Sequence, residues 1–371
     1  MRNTLLLFAS IALTVLCWGL YGPVLQSGQF GMSLAPGVPV RLRPFVCVGL
    51  AYFLIGVIVP AVWLHFRGEK GDWTLTGILW SLAGGALGAI GALGIILAFT
   101  FGGRPIYVMP LVFGGAPVVN AFLTIYMARR VKEIGPLFLA GLIIVIIGAV
   151  TVLVAAPHGT SHAAQSAATA DAPATHTGFW MWISQLLAIA LTIVCWGAYG
   201  PVLHNGQAAM HHSRMRPLIC VGLAYFVIAV VVPYFFLGEV GEPSTYRSWG
   251  TLWALAAGTF GAAGALGIIL AFNCGGRPVF VMPLVFGGAP VINSMYTVTR
   301  NSLWGEINPL FWAGLILVIA GAAMVLVLGP RGEKSRESRV EIREPEPFSP
   351  TTDERPAVLD GGAAGEPLAR G

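Results

Sequence analysis

Apolar residues run along this chain in long unbroken blocks, separated by short clusters of Pro, Gly and charged residues. A helix rises 1.5 Å per residue, so about 20 apolar residues match the hydrocarbon thickness of a bilayer. Ten blocks reach that length: residues 4–25, 44–65, 76–101, 105–127, 136–155, 180–203, 217–237, 249–273, 278–298 and 309–329. The pattern predicts an all-α integral membrane protein with ten transmembrane helices. The first block follows Arg2 and has the outline of a secretory signal. No small-x-small cleavage site follows it, and the block recurs at 180–203, where a signal has no place. It is read as a first span.

That recurrence organises the chain. CWGLYGPVLQSGQ (Cys17 to Gln29) returns as CWGAYGPVLHNGQ (Cys195 to Gln207), and RPFVCVGLAYF (Arg43 to Phe53) as RPLICVGLAYF (Arg216 to Phe226). GALGIILAF, GGRP and VMPLVFGGAPV occur in order from Gly91 to Val118 and again from Gly264 to Val291. IGPLFLAGL (Ile134 to Leu142) returns as INPLFWAGL (Ile307 to Leu315). Residues 1–155 and 179–329 are therefore two copies of one five-span unit. An odd number of spans returns the chain on the opposite side, so the second copy must enter from the other face. The expectation is two inverted five-helix repeats related by an in-plane pseudo-two-fold axis.

Charge orients the pair. With the N-terminus inside, the inner face receives Arg2, Arg67, Lys70, Arg129, Arg130, Lys132, Arg214, Arg216, Arg277, Arg331, Lys334 and Arg336. The outer face receives Arg41, Arg43, Arg104, Arg247 and Arg300. Twelve against five places both termini in the cytoplasm and the protein in the cell membrane. Residues 156–178, rich in Ala, Ser, Thr and His, read as a flexible outer linker, and the Glu/Arg/Pro/Gly-rich 330–371 as a disordered cytoplasmic tail.

Composition agrees: 56% of residues are hydrophobic, 10% charged, and the mean hydropathy is +0.78. The formal charge of +5 is accounted for by the inner-face bias, and the three Lys (Lys70, Lys132, Lys334) form no basic patch for nucleic acid. Cys17, Cys47, Cys195 and Cys220 lie in apolar blocks, where thiols act as small hydrophobes. No CxxC or Cys/His spacing indicates a metal, and no cofactor is expected. The His of the linker read as solvated, as do His204, His211 and His212. No HExxH, GxSxG or P-loop occurs, so an enzyme is not expected.

Candidate chemistry follows the repeat. In VMPLVFGGAPVVN, Pro110 and Pro117 bracket Gly114 and Gly115; the second copy repeats this with Pro283, Gly287, Gly288 and Pro290. Each interior Pro removes a backbone hydrogen bond, so both helices are expected to kink or break near mid-membrane, where exposed backbone marks a transport site. Asn120 and Asn293 add a polar side chain beside each lesion; a plain structural kink is the alternative. Trp18 and Tyr21, with Trp196 and Tyr199, offer rings with polar tips beside Gly-Pro, for stacking on a solute or for an interfacial aromatic belt. Arg104 and Arg277 open helices after Gly-Gly and are candidate anion contacts, or snorkel to headgroups. Gly84, Gly88 and Gly91, with Gly258, Gly261 and Gly264, read as helix-packing seams. All sixteen acidic residues lie outside the ten blocks, which disfavours an embedded carboxylate as a proton or cation site.

Two five-helix units, each with WG in its first helix, resemble the drug/metabolite transporter superfamily over roughly residues 1–330. The Met-Pro pairs Met109-Pro110 and Met282-Pro283 are similar to those of its glucose/ribose-type sugar uptake branch, and EamA-like exporters are the other near branch. The resemblance implies a central cavity between the halves, lined by the first, fourth, sixth and ninth helices, and alternating access by rocking. The functional expectation is a secondary transporter of a small neutral or anionic polar metabolite, a sugar being one candidate, working in the bilayer; the sequence leaves its oligomeric state open, a monomer being compatible with it. The rivals are a non-transporting structural or assembly protein and an exporter of an amino-acid-like metabolite.

Overall fold

A computed structural model describes residues 2–127, 129, 135–156, 176–211, 213–238, 241–242, 244–274 and 278–328. The linker residues 157–175, Arg130, Lys132, Arg277 and the tail from 329 onward lie outside the described residues.

Helices account for most of the described residues. They are α1 (Arg2–Gly31), α2 (Leu42–Phe53), α3 (Val59–Arg67), α4 (Leu75–Thr100), α5 (Pro105–Met127), α6 (Pro136–Ala155), α7 (His176–Ala209), α8 (Met215–Phe226), α9 (Val232–Phe236), α10 (Ser248–Asn273), α11 (Pro278–Arg300) and α12 (Pro309–Leu328). No strand occurs among the described residues, apart from one isolated bridge between Ser33 and Ser244. Among the described residues, eight helices are long and apolar enough to cross a membrane, against the ten spans expected; Pro309–Val325, within α12, is a shorter apolar stretch. The helix α11 runs 23 residues. The first helix of the second copy begins at His176, ahead of the expected linker end.

Local chemistry sets the ends. Gly102, at φ +92, makes the tight turn between α4 and α5, and Pro105 opens α5 where a missing N–H costs nothing. Thr74 caps α4: its Oγ1 accepts from Gly77 N at 3.0 Å and donates to Ala209 O at 2.9 Å.

The expected breaks in the fourth and ninth spans are not found. Helix α5 is continuous through Pro110 and Pro117, and α11 through Pro290. Backbone freed by Pro in a membrane helix is tolerated where neighbouring helices enclose it. The irregular turns fall elsewhere: π-helical turns at Leu54–Ile58 and Val227–Val231 join α2 to α3 and α8 to α9. Each sits just before a proline, Pro60 or Pro233, whose ring crowds the carbonyl four residues back, at Gly56 or Ala229. Widening the turn relieves that clash.

Packing is reciprocal between the copies. The most extensive interfaces are α1 on α10 and α4 on α7, followed by α6 on α12. Thr14 Oγ1 donates to Gly264 O and Thr192 Oγ1 to Gly91 O, each at 3.1 Å. In the middle of the fold α2 crosses α8. Gly49 lies against Ala229 and Val230, Tyr52 against Tyr225, and Gly56 against Gly222, so the two run antiparallel. Helices α6 and α12 are antiparallel as well, with Gly141 against Val325 and Gly314 against Val152.

Candidate functional site: an aromatic chamber

Where α1, α2, α4 and α5 meet α7, α8, α10 and α11 lies a small chamber, a cavity of about 50 Å³. Eight of its twelve lining residues are aromatic: Trp18, Tyr21, Tyr52, Phe113, Trp196, Tyr199, Tyr225 and Phe286. Gly88, Gly200, Gly261 and Ala265 complete it. Among the described residues, the lining holds no formally charged side chain.

Glycine makes room for the rings. A methyl at Gly88 would stand 2.9 Å from the Tyr225 ring, and one at Gly261 2.8 Å from the Tyr52 ring. The Trp rings press on Gly91 and Gly264, with no space for a Cβ at either. Each Trp is then fixed by a hydrogen bond to the opposite copy: Trp18 Nε1 donates to Gly261 O at 3.3 Å, Trp196 Nε1 to Gly88 O at 3.2 Å. With their only donors engaged, both indoles present ring surface alone. Tyr52 and Tyr225 stack face to face, 3.6 Å between centroids and 2° from parallel. Tyr21 meets Trp196 edge-on at 5.9 Å. Its buried hydroxyl makes no hydrogen bond among the described residues. A buried polar group without a partner is costly, so this phenol is a ready handle for a solute.

Four sequence-selected residues, Trp18, Tyr21, Trp196 and Tyr199, are thus brought to one site. The others are placed differently. Gly114 packs on Val318, Gly115 on Ile193, Gly287 on Ile319 and Gly288 on Val15. Pro117 and Pro290 are buried with them. These are helix seams, outside the chamber lining. Asn293 is fully buried and its Nδ2 donates to Pro105 O at 2.8 Å, tying α11 to the start of α5. Asn120 is half-buried, with its amide behind Gly200 at the chamber wall. Arg104 is not among the lining residues either. Sequence reasoning passed over Tyr52, Tyr225, Phe113 and Phe286. The available signal was VGLAYF, repeated letter for letter at Val48–Phe53 and Val221–Phe226, with a phenol well inside an apolar block.

Fold and site together define an all-α, multi-pass membrane protein with an uncharged aromatic chamber between its two sequence copies. No family model and no curated protein matches the chain. Ten solved chains do match it in fold. One, described only as the crystal structure of a protein, superposes with TM-score 0.54 at 17% identity, over 88% of this chain and 99% of its own. At that identity the likeness is one of fold.

Proposed function

We propose that the protein is a secondary transporter of the cell membrane, moving a small neutral solute by alternating access between two inverted five-helix repeats. The observation that carries this reading is the chamber, with its ring-lined walls and the unpartnered Tyr21 hydroxyl. The antiparallel crossing of equivalent helices, α2 with α8 and α6 with α12, supports the inverted relation and, with it, the ten-span count. It also supports membership of the drug/metabolite transporter superfamily, whose members share that plan by resemblance.

Ring faces without a neighbouring ion select a solute that offers an apolar face and few polar groups. A sugar ring fits that description; an anion is disfavoured, since no cation is among the described lining residues. Asn120, behind Gly200, is the nearer of the two Asn to bound solute. The rival reading, a structural membrane protein without transport, draws on the close glycine seams, which fit a solid bundle.

A thermal-shift screen of the purified protein against neutral metabolites separates the two. A ligand at a hundred times its Kd stabilises the folded state by about 2.7 kcal/mol. Tyr21→Phe keeps the ring and removes the hydroxyl, so a chamber ligand that raises the wild-type melting temperature should raise the variant's much less. Proteoliposome uptake of that ligand should fall in step. A ligand acting equally on both proteins sinks the site assignment.

A further inference from the structure

The loops beyond α3 and α9 each return one carboxylate to the start of a helix in the other copy. Glu242 Oε1 accepts from Arg41 N at 2.8 Å and from Arg41 Nε at 3.0 Å, and its Oε2 accepts from Leu42 N at 3.1 Å. These amides are among the orphan donors at the beginning of α2, where negative charge is favoured. Arg43 donates to Ser244 Oγ and lies 5.5 Å over the Tyr246 ring. Thr245 N donates to Met32 O at 2.9 Å, pinning the loop to the end of α1.

The counterpart is built at the start of α8. Glu69 Oε1 accepts from Arg214 N at 2.8 Å. Its Oε2 accepts from Ser213 Oγ at 2.6 Å and Met215 N at 3.1 Å. Arg216 lies 3.7 Å from the same carboxylate and 5.9 Å over Trp73. Both carboxylates are nearly enclosed, at 7% side-chain exposure for Glu242 and 13% for Glu69. Because α2 and α8 are antiparallel, the clusters stand at opposite ends of their crossing, with the Tyr52–Tyr225 stack of the chamber between them.

We infer that the Glu242 and Glu69 clusters are two gates, each holding one end of the chamber shut, and that opening either one exposes that end alone. The inference rests on the transport reading and names its moving parts. A carboxylate enclosed with helix amides and an arginine is costly to unpair, so each end stays closed until the whole set releases together. Among the described residues, no residue belongs to both clusters.

Native cysteines report each end. Cys47 lies one turn beyond Arg43, 2% exposed and packed with Met32, Val40 and Ala254; Cys220 lies one turn beyond Arg216, also 2% exposed. N-ethylmaleimide labelling of the full chain in proteoliposomes, read peptide by peptide, follows both in one sample. Glu242→Gln should speed labelling of Cys47 about tenfold and leave Cys220 unchanged; Glu69→Gln should do the reverse. Glu242→Ala and Glu69→Ala should give the same selectivity more strongly, and where an Ala variant fails to fold, the Gln variant decides. Equal acceleration of both cysteines, or none at either, overturns the gates. Labelling needs no solute, so this outcome is separable from the Tyr21→Phe experiment.

Discussion

Gly91 and Gly84 lie two turns apart on one helix face and differ in what a methyl would meet. At Gly91 a Cβ would enter the Trp196 ring, which cannot retreat because its Nε1 is bound to Gly88 O. At Gly84 the nearest atom, Leu203 Cβ, is 3.4 Å away, an ordinary contact. Gly91→Ala should therefore destabilise the fold by about 1–3 kcal/mol, the usual cost of overpacking. Gly84→Ala should stay within about 0.5 kcal/mol of wild type. Melting of the two variants by size-exclusion chromatography after a heat step measures the contrast; equal losses would mean the Trp196 shelf is not rigid. Both glycines look alike in sequence, as members of one small-residue seam. The seam was legible there; which glycine carries a chamber wall was not, because that depends on a tryptophan 105 positions further along the chain.

Among elements, the starts of helices were readable and their interiors were not. Thr74 and Pro105 stand where capping and first-turn preferences place them. Thr74 does a second task that no local pattern encodes, donating to Ala209 O at the end of α7. Thr74→Ala should cost about 1 kcal/mol for the cap, and Thr74→Asn, which can still cap, should recover most of it. A loss not recovered by Asn would assign the effect to the α7 contact. Proline misled in the other direction. Pro110 and Pro117 suggested a broken α5, yet the helix continues, while Pro60 and Pro233 produce π turns beside the chamber tyrosines. The lesion is the same in every case, one lost hydrogen bond and a crowded carbonyl. Whether it widens the helix depends on the neighbours, and these are supplied by the other copy.

At the scale of the molecule, the reciprocal interfaces make the two copies one body, since α1, α4 and α6 each bury their main face against a helix of the other copy. If the charge bias orients this body as read from the sequence, the chain beyond α12 lies in the cytoplasm. Protease added to inside-out vesicles should then remove the segment 330–371, whereas added to right-side-out vesicles it should cut only near 156–178. Cleavage of the terminal segment from outside would reverse the orientation.

The sequence alone determined the solvent of this protein, its helical class and the duplication, because those depend on composition and on patterns counted along the chain. It also singled out Trp18, Tyr21, Trp196 and Tyr199, since rings with polar tips beside Gly-Pro are unusual inside apolar blocks. Only the tertiary structure decided that these rings meet Tyr52 and Tyr225, that the Gly-Gly-Ala-Pro segments pack seams, and that Asn293 Nδ2 is bound to Pro105 O while its buried Oδ1 has no partner among the described residues. The reason is the crossing of α2 over α8: it joins residues more than 160 positions apart, as with Glu242 and Arg41. Contacts at that separation follow from how two helical surfaces fit, which no periodicity within either helix records.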